Sequence, residues 1–538
     1  MTSGGNHPEN EVSQGRTMTI QALNPAPPDS PLRRQLSVLV GRQPRQRTLY
    51  LATLAFFLSF VVWFDMAPFA LSIKAEMHLT PKQLGVLALC NLALAIPGRV
   101  FAGMLLDRYG PRRLFGGILI FAAVPNTLFA LSHTYTELVV SRLFVGLVGA
   151  GFVVGVRLIS EWFDHDDLGT SEGFYGGWGN FGSAAAALSL PLLASLVASG
   201  PGAWRWGVGL CGLVAAAYGV CFLFVVRDTP EGRTYRRPRR HGALQVRSPG
   251  AVLGLVALQI PIVGALGLVA YRVERAGVIG PAALQVCGVV LAVFLVGLVW
   301  RVVQVNRPAL RGTASPDAVP SLVPVALLSL AYAVTFGTEL SVISLLPTYF
   351  AHTFGLQIAA AGVAGSAFAF TNLVARPAGG LISDLTGKRV KVLVVLLLGT
   401  AVGFVAIGFV TSSTPLWLSL VFVVVASLFV QAGNGAVFAM VPLVSRASNG
   451  QVAGLAGSYG NIGGVVFSSV LFFTATTTDV VGDTALLFTT IAVSALVVGL
   501  LCLGLLRLAP DDDAVLDLDG TGVDDPVVAE PALAMVNA

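Results

Sequence analysis

Two arginines interrupt apolar runs where a permanent charge is costly. Arg99 follows Leu94-Ala95-Ile96-Pro97-Gly98, and Arg376 follows Asn372-Leu373-Val374-Ala375. An arginine at the middle of a bilayer costs at least about 2.5 kcal/mol, so each should face a partner or a polar cavity. A guanidinium is planar, always charged and forked, which suits a flat oxyanion with two or three oxygens better than an ammonium does. The bland alternative is that each arginine pairs with a buried carboxylate or with helix carbonyls. Two arginines at matching places in an internal repeat favour one shared cavity that takes an anion.

A second constellation points the same way. Gly176-Gly177-Trp178-Gly179-Asn180-Phe181-Gly182 and Gly457-Ser458-Tyr459-Gly460-Asn461-Ile462-Gly463-Gly464 are one motif written twice, 281 positions apart. In each copy a glycine and an asparagine are four residues apart (Gly176 and Asn180, Gly457 and Asn461), which places them on one helix face. The asparagines offer amide donors, and the glycines let the backbone approach a substrate of few atoms. Glycine-rich helix packing in lipid is the competing explanation for the glycines alone. The repeat extends upstream at an offset of 277: Arg99, Gly103, Asp107, Gly110 and Arg112 match Arg376, Gly380, Asp384, Gly387 and Arg389.

These motifs must be carried by membrane helices. The chain has 538 residues, 55% hydrophobic and only 11% charged, with a mean hydropathy of +0.78. That balance excludes a soluble globular protein. Apolar runs of about 20 residues, the length of a helix that crosses the hydrocarbon, recur along it. The net charge of +5 conceals an acidic tail: from Pro510 onward there are 8 of the 28 acids and no Lys or Arg, leaving 33 basic against 20 acidic residues elsewhere. In a membrane protein that basic excess reads as topology, with no nucleic-acid partner implied. Cys90, Cys211, Cys221, Cys287 and Cys502 lie in apolar runs without CxxC spacing and read as packing residues. With no phosphate loop and no His/Cys cluster in the sequence, neither an enzyme nor a cofactor or metal is expected.

Taken in order, residues 1–47 read as a disordered cytoplasmic arm and 48–227 as a bundle of six helices. Residues 228–320 combine a basic, hence cytoplasmic, loop with an inserted apolar hairpin (about 249–271 and 279–303), whose outer connector would be Arg272 to Arg275, a re-entrant or surface-lying pair being the alternative. Residues 321–507 repeat the six-helix rhythm, and 508–538 form an acidic disordered tail with a cytoplasmic partner as one reading. The expected fold is an all-α polytopic membrane protein of about 14 helices, six, two and six, with both termini cytoplasmic.

On these residues the chain resembles the major facilitator superfamily and, within it, the nitrate/nitrite porter family. Gly103 to Arg112 resembles the superfamily's loop between helices 2 and 3, Gly380 to Arg389 its second copy, and the two Gly/Asn motifs resemble the paired nitrate signatures. The resemblance covers about 48–227 and 321–507; the inserted pair departs from the usual twelve-helix design. It implies that Arg99 and Arg376 hold the anion and that Asn180, Asn461, Gly176 and Gly457 complete the site. It also implies a hydroxyl from Tyr332, an aromatic wall from Phe336, and a sandwich of the flat ion between Phe152 and Phe438, with plain packing as the alternative for these two rings.

The fold and function implied are a secondary transporter of nitrate and/or nitrite in the plasma membrane, working by alternating access between two bundles and serving nitrate uptake. Nitrate/nitrite exchange and proton symport are both open: exchange follows if the empty form cannot close, and symport needs a titratable group in the membrane. Asp65, before Met66-Ala67-Pro68, also reads as a solvated residue at the outer mouth, and Glu339 as the partner of an arginine. Arg157 and Glu161, four apart, read as an intrahelical pair. The rival functions are export of larger organic anions or drugs, and anion sensing without transport.

Overall fold

Lipid leaves a chain no water to hydrogen-bond its backbone, so the apolar runs fold as helices, and no strand occurs among the described residues. The computed structural model describes residues 30–508 apart from 201, 236, 239–240, 314–320, 446 and 475–482. The readings made for residues 1–29 and for the acidic tail beyond 508 lie outside the described residues. A short helix, α1 (Pro31–Leu39), precedes the first half. That half comprises α2 (Pro44–Phe64), α3 (Ala70–Glu76), α4 (Pro81–Ala93), α5 (Ala95–Tyr109), α6 (Pro111–Ala130), α7 (Tyr135–Gly146), α8 (Gly151–Trp162), α9 (Leu168–Val197) and α10 (Ala203–Val225). The insertion supplies α11 (Pro249–Ala257), α12 (Ile260–Arg275), α13 (Pro281–Val305) and α14 (Arg307–Leu310). The second half is α15 (Leu322–Phe354), α16 (Ile358–Phe370), α17 (Asn372–Thr386), α18 (Arg389–Gly408), α19 (Leu416–Val444), α20 (Asn449–Thr474) and α21 (Thr484–Leu508).

Local chemistry sets many of these boundaries. Proline opens α2, α4, α6 and α13, where its missing N–H costs nothing. Thr80 with Gln83, and Thr134 with Glu137, form capping boxes at the starts of α4 and α7. Among the described residues, thirteen helical stretches are long and apolar enough to span a membrane. The remaining expected span, the α16–α17 stretch, is broken at Thr371. Its repeat mate is broken at Leu94, between α4 and α5, 277 positions earlier. Each arginine of the pair therefore sits five residues after a break in its own helix.

Two expectations differ from the structure here. The arm is not mobile throughout: α1 is ordered, Val38 is buried, and the Gln35 side chain donates to the Asp166 carbonyl at 2.8 Å and accepts from Thr170 Oγ1 at 3.0 Å. An amphipathic helix with one buried edge docks where a purely polar arm would stay in water. Arg272 is not in an outer connector but in the last turn of α12, where it is buried, donates to Ser468 and Ser469 and lies over the Phe472 ring at 4.7 Å. The inserted pair is anchored on one side only: α12 packs on α20, whereas α13 leaves Val286, Val289, Val293 and Val296 exposed, as a lipid-facing helix does.

The two halves meet through repeat-matched helices, α5 against α20 and α9 against α17. At the end of the bundle that carries the basic loops the contact is backbone on backbone. A Cβ added to Gly103 would lie 2.2 Å from the Gly450 carbonyl oxygen, and one added to Gly380 would lie 1.9 Å from that of Gly169. Asp107 accepts from the N–H groups of Gly450 and Gln451 at 3.0 and 3.2 Å, capping the start of α20. Asp384 does the same for Gly169 and Thr170 at the start of α9, at 3.1 and 2.6 Å. Each carboxylate meets the positive end of a helix from the opposite half, a stabilising arrangement. The basic end is therefore shut.

Candidate functional site

Above that closed end the two arginines enter a common buried space; Arg99 is 0% and Arg376 1% exposed. Arg99 Nε donates to the Gly149 carbonyl at 3.1 Å and Nη1 to the Gly457 carbonyl at 2.7 Å, crossing from the first half to the second. Its Nη2 has no hydrogen-bond partner. Arg376 Nη2 donates to the Tyr332 hydroxyl at 3.2 Å, while Nη1 makes no hydrogen bond and lies 3.8 Å from Glu339 Oε2. The Phe152 ring lies 5.6 Å from one guanidinium and 5.2 Å from the other, so the two charges are no more than 10.8 Å apart. Their field converges on that ring. Like charges held this close in a dry site repel, and cation–π contact with Phe152 offsets part of that repulsion.

Several of the expected residues lie against the two arginines. Gly176 is pressed on Arg376, where an added Cβ would lie 2.5 Å from Nε; at Gly457 it would lie 2.9 Å from Val153 Cγ1 and 3.2 Å from Arg99 Cδ. Neither amide atom of Asn461 has a partner. Asn180 instead donates to Glu339 Oε1 at 3.4 Å. The Tyr332 ring stacks on Phe336 (4.9 Å, 3°) and lies parallel to Phe152 (6.0 Å, 10°). Phe336 also stands 5.1 Å from the Arg99 guanidinium. The sandwich between Phe152 and Phe438 is not formed. Those rings meet edge to face at 4.5 Å and 75°, whereas a flat ion between parallel rings needs about 7 Å, two contacts of about 3.5 Å.

The carboxylates sort differently from expectation. Asp65 is not at a solvated mouth: it is 0% exposed inside the first half, where Arg142 donates to it at 2.6 Å and Asn126 at 2.8 Å. Position along the run suggested the outer end, but α6, α7 and α10 close around it laterally, and Arg142 escaped the sequence reading altogether. Glu339 does sit beside an arginine, Arg376, within a ring of amides: Asn372 and Asn434 donate at 2.6 and 2.7 Å, in addition to Asn180. Arg157 and Glu161 form the expected intrahelical pair at 2.6 Å. Asn372 and Asn434 were missed, although Asn372 stands one turn before Arg376 on the same helix face.

A buried donor without a hydrogen bond is costly, and the two guanidiniums that flank the Phe152 ring each keep one such nitrogen, Arg99 Nη2 and Arg376 Nη1, the latter 3.8 Å from Glu339; with two cations against one carboxylate the arrangement suits a small, negatively charged guest. Known proteins resemble this chain in sequence and in fold. The Major Facilitator Superfamily profile matches residues 51–320 and 328–529. The nitrate/nitrite transporter NrtP of Nostoc punctiforme is 39% identical over 474 residues, covering 87% of this chain and 93% of that protein. The chain belongs to the major facilitator superfamily, in its nitrate/nitrite porter family. NrtP of Picosynechococcus is 38% identical over 79% of this chain and 85% of its own length. Among solved structures, the proton:xylose symporter XylE superposes with a TM-score of 0.58 over 86% of this chain and 96% of that one, at 14% identity, which speaks to the fold alone. The family and its curated members are membrane transporters, and this chain is an integral membrane protein.

Proposed function

We propose that this chain takes up nitrate and/or nitrite across the plasma membrane by alternating access, with residues 48–227 and 321–507 as the two moving bundles and both termini in the cytoplasm. The observation that carries the reading is the repeat-matched pair of buried arginines, each with one N–H group left without an acceptor. The relatives' names as nitrate/nitrite transporters supply the anion. Arg99, Arg376, Asn461 and the Tyr332 hydroxyl surround it; Gly176 and Gly457 keep the space small, and Asn180 acts through Glu339. A site walled this tightly by Phe152, Phe336 and Phe438 favours a three- or four-atom ion over a bulky organic anion.

The mechanism follows from charge. Without its guest the site holds Arg99 and Arg376 against Glu339, and a monovalent anion offsets the remaining positive charge. The loaded carrier then closes more readily than the empty one, the differential interaction that a conformational change requires. The basic end, cytoplasmic by charge bias, is opened only when α5 parts from α20 and α9 from α17. The test is uptake of labelled nitrate into proteoliposomes, with internal nitrite present or absent and with or without an inward proton gradient. Arg99→Lys should lower the flux at least tenfold, because an ammonium cannot reproduce the forked pattern. Wild-type flux that Arg99→Lys leaves untouched would remove the anion site from this place.

A further inference from the structure

Helix α9 enters the anion site from the basic end carrying a stripe of residues four apart, Glu172, Gly176 and Asn180. The matching stripe of α20 is Ala453, Gly457 and Asn461. Glycine answers glycine and asparagine answers asparagine, but the carboxyl has no counterpart. Glu172 is 2% exposed, and neither of its oxygens has a hydrogen-bond partner among the described residues. The other buried carboxylates are all engaged: Asp65 by Arg142, Asp107 by two backbone amides, Asp384 by Arg389 and two amides, Glu339 by three side-chain amides.

The groups that face this stretch of α9 are few. From α17 come Arg376, pressed on Gly176 one turn away, and Asp384, committed to Arg389. From α1, whose Gln35 bonds Thr170, come Arg33 and Arg34, both exposed; from α2 comes Arg45, paired with Asp167; from α8 Arg157, paired with Glu161; from α10 Arg205, paired with Glu76; from α15 Glu339, held by amides; α19 and α16 contain no charged residue. On its own helix Tyr175 spends its hydroxyl on the Gly151 and Phe152 carbonyls. Of these cations only Arg376, against Gly176 one turn along the same face, belongs to the anion site. An ionised carboxylate in so dry and bare a place is strongly disfavoured, whereas the neutral acid is tolerated.

We propose that Glu172 is the proton-carrying group that couples anion movement to protons, neutral while the anion is held and ionised when the site is empty. The inference rests on the nitrate/nitrite reading above. With Glu172 neutral, Arg99, Arg376 and Glu339 leave one positive charge, which one nitrate or nitrite balances. With Glu172 ionised that charge is already balanced and the anion is not retained. One proton, taken from water by a carboxylate oxygen on the side where the site is open, accompanies each anion and returns to water on the other side. Glu339 and Asp65, the sequence candidates for this task, are held by fixed partners in the structure, whereas Glu172 is not.

The purified full-length protein tests this by calorimetry of nitrate binding in two buffers of different protonation enthalpy, which counts protons taken up per anion. The wild type should take up about one proton, and its Kd should rise about tenfold per pH unit on the alkaline side. Glu172→Gln should still bind nitrate, take up no proton and lose the pH dependence; in proteoliposomes it should retain nitrate counterflow and lose accumulation driven by a proton gradient. Nitrate binding by the wild type without proton uptake, or proton uptake that survives in Glu172→Gln, overturns the assignment while leaving the anion site standing. A wild type that binds neither nitrate nor nitrite sinks the functional reading itself. If Glu172→Gln does not elute as an intact protein on size exclusion, Glu172→Asp must keep proton uptake and Glu172→Ala must lose it.

Discussion

Replacing Gly380 by alanine should unlock the basic end of the bundle without touching the anion site. The added Cβ would stand 1.9 Å from the Gly169 carbonyl oxygen and 2.6 Å from its carbonyl carbon. Both are backbone atoms, so no rotamer change relieves the clash. Ordinary contact begins near 3.4 Å, so α17 and α9 must separate by more than an ångström. Overpacking of this kind costs about 1–3 kcal/mol. The cost falls only on the conformer in which those helices touch, so the closed-to-open ratio should drop by about 5- to 150-fold. Spin labels on unnatural amino acids at Asp166 and Lys388, both exposed and on opposite halves, would read the change as a longer-distance population in pulsed dipolar spectra. Gly103→Ala, with its Cβ 2.2 Å from the Gly450 carbonyl oxygen, should produce the same shift. A distance distribution identical to wild type in both variants would refute the claim that these contacts hold the end shut.

Two further outcomes follow from buried groups. Asp65→Asn leaves the Arg142 guanidinium without its counter-charge, a loss of about 3–5 kcal/mol for a broken buried pair; a thermal-shift assay should record a marked fall in Tm, and an unchanged Tm would mean that water reaches Arg142. Gly176→Ala places a methyl 2.5 Å from Arg376 Nε, displacing the guanidinium, and should weaken nitrate binding at least about tenfold, roughly 1.4 kcal/mol, while Tm holds. Unaltered affinity would show that the arginine arm bends aside freely.

The internal repeat makes much of this legible in the sequence. Arg99 and Arg376 could be paired by the offset of 277 alone, and the Gly/Asn motifs located the helices that face them. Hydropathy length gave the helical fold, because in lipid few alternatives exist. What the sequence hid was lateral packing. Asp65 looked peripheral because position along a run does not reveal that α6, α7 and α10 enclose it, and Arg142 was passed over for the same reason. Phe152 and Phe438 meet edge to face and not as parallel walls, since ring angles depend on neighbours such as Tyr332. Glu172 was inconspicuous because it stands near the start of its run, beside the charged loop His165 to Asp167, where an acid attracts no notice.

The reciprocal caps carry a consequence for ancestry. Asp107 of one half meets the start of α20 in the other, and Asp384 meets the start of α9 in return. Residue and target exchange places under the same rotation, which is the signature of an isologous contact between identical subunits. A half-length chain pairing with itself about an axis along the membrane normal would make both contacts at once. Fusion of two such chains preserves them and requires only a connector. The connector, not the bundles, was then free to gain α12 and α13, whose sequence has no mate anywhere in the repeat.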